Sequence, residues 1–203
     1  MMERSDETSD SAAIAAWRKA ERERLIAARL DLPAATRTAH SAAIGEALLD
    51  HLGAIGSKAI SFYWPFRGEP DLRPTMDALN DAGATCLLPV VVAKDAPLSF
   101  RAWRRGEPLS RGVWNIPYPE NGPDRRPDIV IAPLVGFDAD CFRLGYGGGF
   151  FDRTLAALSM LPLVVGVGYG QQKIASIRPQ SHDIPMDRII TEAGALTRRG
   201  RND

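Results

Sequence analysis

The sequence predicts an α/β domain of three layers: a central, largely parallel sheet with two N-terminal helices packed on it. Three observations lead there. Two helical patterns open the chain, with apolar residues recurring at helical spacing. Strand-sized apolar runs then alternate with helical ones, the order that builds parallel sheets. Residues 128–132 (DIVIA) and 163–169 (LVVGVGY) are almost continuously apolar, as strands covered on both faces are.

Each element has its own signal. Residues 1–11 are charged, lack apolar periodicity and read as a disordered tail. From residue 12, Ile14, Trp17, Leu25, Ile26 and Leu30 form a stripe between charged residues, and Pro33 ends that helix. A second helix is expected over residues 34–52, with Gly53 as its stop. Residues 58–64 (KAISFYW) are β-branched and aromatic, hence a strand. Pro74 suits the first turn of a helix ending near Gly83. Residues 84–92 and 98–103 read as strands. Residues 106–126, rich in Gly, Pro and Asn, read as a long loop of the kind that often carries function. Residues 150–161 look helical between the two buried strands, and residues 187–191 (DRIIT) form a last short strand. This gives one domain over residues 12–195 and a flexible, solvated tail over 196–203.

Composition removes several function classes. Among 203 residues, Lys plus Arg is 25 and Asp plus Glu is 25. A balanced charge argues against a general nucleic-acid or anionic-membrane binder, which needs basic excess to neutralise phosphates. A local basic site for one small anion remains open. The two cysteines, Cys86 and Cys141, are far apart and in no CxxC pair, which excludes a disulfide framework or a cysteine-rich zinc site. With no basic and apolar leader at the N-terminus and no membrane-length apolar run, a cytoplasmic location is expected. Monomer and dimer stay equally open.

The most informative run is residues 137–153 (FDADCFRLGYGGGFFDR), after a buried strand and before a helix. Ligands of open α/β sheets bind at such points, beyond the carboxyl ends of strands. Gly145, Gly147, Gly148 and Gly149 let backbone N–H groups approach a phosphate at the following helix N-terminus, and Arg143 adds a fork of donors. The run is not a Walker A loop, which requires GxxxxGK[ST]. Nor is it a dinucleotide fingerprint, because Phe150 stands where that pattern ends in Gly or Ala. Asp152 reads equally as a carboxylate favoured by the helix dipole or as a Mg²⁺ ligand. Asp183, in the run 181–192 (SHDIPMDRIITE), is a candidate second carboxylate. Trp64 and Glu69 near the first strand, and Trp114 in the long loop, suit a flat polar heterocycle through stacking and hydrogen bonding. Phe62 reads as core. Arg18 and Arg22, four apart, share one helix face.

Taken in order, these motifs resemble the 5-formyltetrahydrofolate cyclo-ligase (methenyltetrahydrofolate synthetase) family. The resemblance runs from the first helix to Glu192 and is most specific over residues 137–153. It implies a three-layer α/β fold and an enzyme that couples ATP hydrolysis to cyclisation of 5-formyltetrahydrofolate, with Mg²⁺. The products are 5,10-methenyltetrahydrofolate, ADP and phosphate, and the route passes through a phosphorylated formyl group. By resemblance, Arg143, Leu144, Gly145, Tyr146, Gly147, Gly148, Gly149, Phe150 and Phe151 wrap the nucleotide phosphates, with Arg18 and Arg22 reaching them from the first helix. Asp152 and Asp183 match the metal ligands. Glu69 matches the pterin-recognising glutamate. Trp64, Trp114, Tyr146 and Arg22 would contact the folate, and Arg143 and Tyr146 would act in catalysis.

The chain departs from the family pattern at several points. Arg18 stands where Lys is usual, Phe150 and Phe151 where a Tyr-Tyr pair is common, and Cys141 where glycine is common. The missing hydroxyls motivate one alternative, a divergent paralogue that binds nucleotide but acts on another substrate; Glu69 and the aromatics alone would suffice for another, a non-catalytic folate-binding protein.

Overall fold

A computed structural model describes residues 3–199. Helix α1 (Glu3–Leu30) and helix α2 (Ala34–Leu52) lead, followed by β1 (Ala59–Ser61), α3 (Arg73–Asp81), β2 (Thr85–Val90) and β3 (Ser99–Ala102). The hairpin β4 (Leu109–Arg111) and β5 (Pro117–Pro119) precedes β6 (Ile129–Pro133). A second hairpin, β7 (Gly136–Phe137) and β8 (Arg143–Leu144), leads into α4 (Phe150–Ala157). Then come β9 (Leu163–Val167), β10 (Arg188–Thr191) and β11 (Gly194–Thr197).

The seven strands of the main sheet run in the order β11-β10-β9-β6-β1-β2-β3. The five inner strands are parallel, and β3 and β11 close the two edges antiparallel. The two faces bury different residues of each strand, as a period of two demands. On one face Ile129 and Ile131 of β6 join Ile44 and Leu48 of α2 and Met76 and Leu79 of α3. On the other, Val130 and Ala132 meet Leu155 of α4. The three layers follow from β6 being apolar at both parities.

Helix α2 begins at Pro33, whose fixed φ ends α1 and starts a new direction. Its buried residues Ser41, Ile44, Gly45 and Leu48 lie at i, i+3, i+4 and i+7, a single stripe. Helix α1 crosses the carboxyl end of the sheet, with Leu25 buried against Val135, Leu144 and Ile177. The N-terminal pair thus divides its work: α2 covers a sheet face and α1 covers the loops.

Secondary structure reaches into both segments expected as tails. Helix α1 starts at Glu3 and so takes in residues 3–11. Propagating an already nucleated helix costs far less than starting one. Residues 1 and 2 lie outside the described residues. At the other end, β11 pairs with β10 through Thr197, carrying the sheet into the segment expected to be flexible; residues 200–203 lie outside the described residues. The loop expected over 106–126 also contains the β4–β5 hairpin.

Candidate functional site

Strand order reverses between β1 and β6: from β1 the chain proceeds to β2, and from β6 to β9 on the opposite side. Such switch points open a crevice beyond the carboxyl ends of the strands. A cavity of about 570 Å³ lies there, reached by Tyr63 and Trp64 after β1, Val90 of β2 and Pro133 of β6. All the candidate residues line it: Arg18, Arg22, Trp64, Glu69, Trp114, Asp183 and the whole run from Arg143 to Asp152.

Anion-binding chemistry occupies one side. The β7–β8 hairpin delivers Arg143 and the glycine run into the cavity. Asp138 fixes the hairpin turn, its buried carboxylate accepting from the N–H groups of Asp140, Phe142 and Ile177 at 3.0–3.1 Å. Cys141 takes the turn's left-handed position, φ 63°, where glycine would be free of strain. Gly149, φ 62°, makes the left-handed turn into α4. A Cβ on Gly145 would lie 2.7 Å from Arg143 Nη1, so the guanidinium rests directly on the loop. Arg143 Nη2 donates to Asp152 Oδ2 at 3.0 Å, and its cation lies 5.0 Å over the Phe151 ring. Its Nε is buried without a hydrogen-bond partner among the described residues. Arg153 holds the loop from behind, donating to Gly148 O at 2.5 Å and covering the Phe150 ring. The two phenylalanines thus serve arginine cations through their rings, a contact that needs no hydroxyl.

Helix α1 supplies the other cations. Arg18, 8% exposed, donates to Ile177 O, to Arg178 O and to both oxygens of Asp183, the shortest at 2.5 Å. Burial acts to raise the Asp183 carboxyl, but the Arg18 hydrogen bond and charge and the Gln180 N–H hold it below its ordinary value. Arg22 Nε donates to Gly145 O at 2.7 Å, and its terminal nitrogens face Gly147. No carboxylate pairs with Arg22 among the described residues, and burial together with the neighbouring Arg18 charge weakens its hold on its proton. An anion at the glycine loop would offset both with an opposite charge.

The opposite side suits a flat heterocycle. Phe66 and Trp114 stack with ring centres 6.3 Å apart and planes 7° from parallel, and Tyr146 leans on both. Trp114 is 53% exposed at φ 55°, held at the mouth by the β4–β5 turn. Trp64 lines the wall with Trp103 edge-on beneath it and Arg73 over its ring. Glu69 is 6% exposed. Its Oε2 accepts from Phe66 N–H at 2.9 Å and its Oε1 from the Tyr146 hydroxyl at 3.0 Å. Burial pushes its carboxyl up to about 7, although the charge of Arg29 and these two donors oppose the rise. Phe62, expected in the core, is 1% exposed there.

For a divalent cation the cavity offers Asp152 and Asp183. Asp152 Oδ1 accepts from the Ile184 N–H at 3.3 Å, which ties the residue after Asp183 to it. Among the described residues no group of three or more His, Cys, Asp and Glu gathers around one point. Two carboxylates beside an anion loop fit Mg²⁺, which takes few protein ligands and completes its shell with phosphate oxygens and water. They do not fit a metal held wholly by protein. His182 lies 3.9 Å from Asp183 with no partner at zinc-ligand spacing.

From sequence alone Arg29 and Arg153 have no assigned role, and Phe66 reads only as one of the aromatics after the first strand. Arg29 carried a legible signal, since Arg18, Arg22 and Arg29 fall at i, i+4 and i+11 on one helical face. Arg153 closes the glycine run itself, its partners Gly148 and Phe150 lying within five positions, whereas the role of Phe66 depends on Trp114, a stacking partner from a distant segment.

Fold and cavity together define an α/β protein in which an arginine- and glycine-lined loop and an aromatic pocket share one cavity at the switch point of a parallel sheet. The sequence profile described as the 5-formyltetrahydrofolate cyclo-ligase family matches residues 14–192, and the chain belongs to that family. The Escherichia coli (strain K12) 5-formyltetrahydrofolate cyclo-ligase is 32% identical over 139 residues, 65% of this chain and 76% of that one. Its counterpart in Mycolicibacterium smegmatis is 28% identical over 145 residues, 68% and 75% of the two chains. The solution structure of Aquifex aeolicus 5,10-methenyltetrahydrofolate synthetase superimposes with a TM-score of 0.78 at 26% identity, covering 92% of this chain and 95% of that one. No helix among the described residues is long and apolar enough to cross a membrane.

Proposed function

We propose that this protein converts 5-formyltetrahydrofolate to 5,10-methenyltetrahydrofolate at the expense of ATP. The observation that carries the reading is the joining of an anion loop and an aromatic, carboxylate-bearing pocket in one cavity, which the reaction needs to bring a phosphoryl donor to a pterin. A formamide oxygen is a poor leaving group. Transfer of the γ-phosphoryl to the formyl oxygen releases ADP and makes that oxygen part of a phosphate. N10 then attacks the formyl carbon and loses its proton, and phosphate departs as the ring closes. Most of the barrier reduction in such a transfer comes from alignment and charge stabilisation.

The chain's residues divide that work. Gly145 to Gly149 and the first turn of α4 present backbone N–H groups to the nucleotide phosphates. Arg143, with its unpartnered Nε, and Arg22, with no carboxylate partner, neutralise charge on the moving phosphoryl group. Arg18 contributes its charge and orients Asp183. Asp152 and Asp183 would hold Mg²⁺, which supplies Lewis-acid stabilisation to phosphate oxygens when bound. Glu69 accepts N–H donors of the pterin, a pattern suited to a carboxylate with free lone pairs. Phe66, Trp114 and Tyr146 clasp the ring system, and Trp64 lines the wall. Tyr146 belongs to both halves: its backbone lies in the anion loop and its hydroxyl touches Glu69.

The test mixes purified protein with 5-formyltetrahydrofolate, ATP and Mg²⁺ and follows the near-ultraviolet absorbance of the methenyl product. A rise requiring all three additions is expected. No rise from folded, nucleotide-binding protein refutes the reading and favours a paralogue with another substrate.

A further inference from the structure

Arg29 is wholly buried, at 0% exposure, and forms no ion pair with a carboxylate among the described residues. Burying a guanidinium is costly unless its donors are satisfied and its charge is answered. Each of its three nitrogens has a partner, two fixed carbonyls and one side chain: Nε donates to Arg67 O at 2.9 Å, Nη1 to Leu134 O at 3.2 Å, and Nη2 to the Tyr146 hydroxyl at 2.6 Å. The carbonyls belong to the turn before Glu69 and to the end of β6, both framework segments of the cavity. Tyr146 has a single hydroxyl proton. With its oxygen accepting from Arg29, that proton is directed to Glu69 Oε1 at 3.0 Å, the alternative acceptor Phe66 O being farther at 3.4 Å.

We propose that Arg29 is the positioning residue of the substrate-binding carboxylate: clamped by Arg67 O and Leu134 O, it orients the Tyr146 hydroxyl toward Glu69 and supplies the buried positive charge that Glu69 requires. This rests on the reading of Glu69 as the pterin acceptor and deepens it. Arg29 itself touches no substrate. The other groups facing Glu69 cannot take its place. Tyr63, beside it, donates to Pro70 O, and Asp71 on the same segment carries like charge. Arg37 of α2 borders the smaller cavity behind Glu69 but is spent on the carbonyls of Leu30 and Leu32. The direction of Arg29's effect agrees: its charge is the largest influence holding the Glu69 carboxyl down against burial.

The consequence is measurable without turnover. Carbon-13 NMR of protein labelled at glutamate carboxyls, with the Glu69 signal assigned through Glu69→Gln, reports the Glu69 titration midpoint directly. In Arg29→Gln that midpoint is expected to rise by about one pH unit, a tenfold gain in proton affinity. The apparent affinity for folate at pH 7 falls about fivefold, as the ionised fraction of Glu69 drops from about one half to about one tenth, while that for ATP is unchanged. Tyr146→Phe, which removes the relay and keeps Arg29, raises the midpoint by a smaller amount and serves if Arg29→Gln does not fold. An unchanged midpoint in either folded variant overturns the proposal. Failure of the folate reading shows separately: the midpoint still moves in the variants while the wild-type protein makes no methenyl product.

Discussion

Glu69→Gln should make the protein more stable at neutral pH while removing its grip on the pterin. The folded carboxyl titrates at about 7 against an ordinary 4.5. A carboxyl whose folded value is raised is destabilising once ionised, so its cost is absent below pH 4.5 and complete above pH 7. At about 1.4 kcal/mol per pH unit, that gap corresponds to about 3 kcal/mol of stability lost to the charge. Glutamine keeps the size and the acceptor oxygen and carries no charge, so it resembles the protonated acid. For a domain of this length, such a gain raises the melting temperature by about 10 °C. The assay is thermal or urea unfolding of wild type and variant across that pH window. The stability difference should be near zero at the acid end and grow steadily toward neutrality, with folate affinity lost in parallel. A difference that stays constant across the window would place the effect in packing rather than in the charge of Glu69, the opposite of this expectation.

Asp152→Asn keeps one acceptor oxygen, enough for either Arg143 Nη2 or the Ile184 N–H but not both, and removes the charge offered to Mg²⁺. Turnover should fall by more than about a hundredfold while the circular dichroism spectrum is unchanged, and near-normal turnover would remove Asp152 from the metal site. In Gly168→Ala the added Cβ would lie 2.3 Å from Leu134 Cδ1 and 2.9 Å from Gln172 Oε1, both in fully buried side chains. Overpacking of this kind costs about 1–3 kcal/mol, measurable by urea unfolding. Because Gln172 Nε2 and Arg29 Nη1 both hold Leu134 O, folate affinity should drop with stability.

Much of the site was legible because its chemistry is local. The run from Arg143 to Asp152 carries its glycines, cation and carboxylate within ten positions, and the order strand, glycine loop, helix is enough to aim backbone N–H groups at an anion. The inner strands were legible because parallel strands covered on both faces must be apolar at both parities. The hairpin β7–β8 was not: its two-residue strands show no period, and it exists because Asp138 satisfies three backbone N–H groups from two segments. The β4–β5 hairpin hid among turn residues for the same reason of length.

Local patterning carries the layer order, the extent of α2, the glycine loop and about half of the residues that line the cavity, because periodicity and motif spacing are properties of neighbouring residues. Tertiary structure alone decided the pairings. Arg18 meets Asp183 across 165 positions, and Arg29 reaches Tyr146 across 117. Whether Glu69 is a surface carboxylate or a buried one titrating near neutrality depends on α1 closing over the loops. Charge and hydrogen bonding act through space, so which cation answers which carboxylate is fixed only when the sheet has brought their separate segments to one edge.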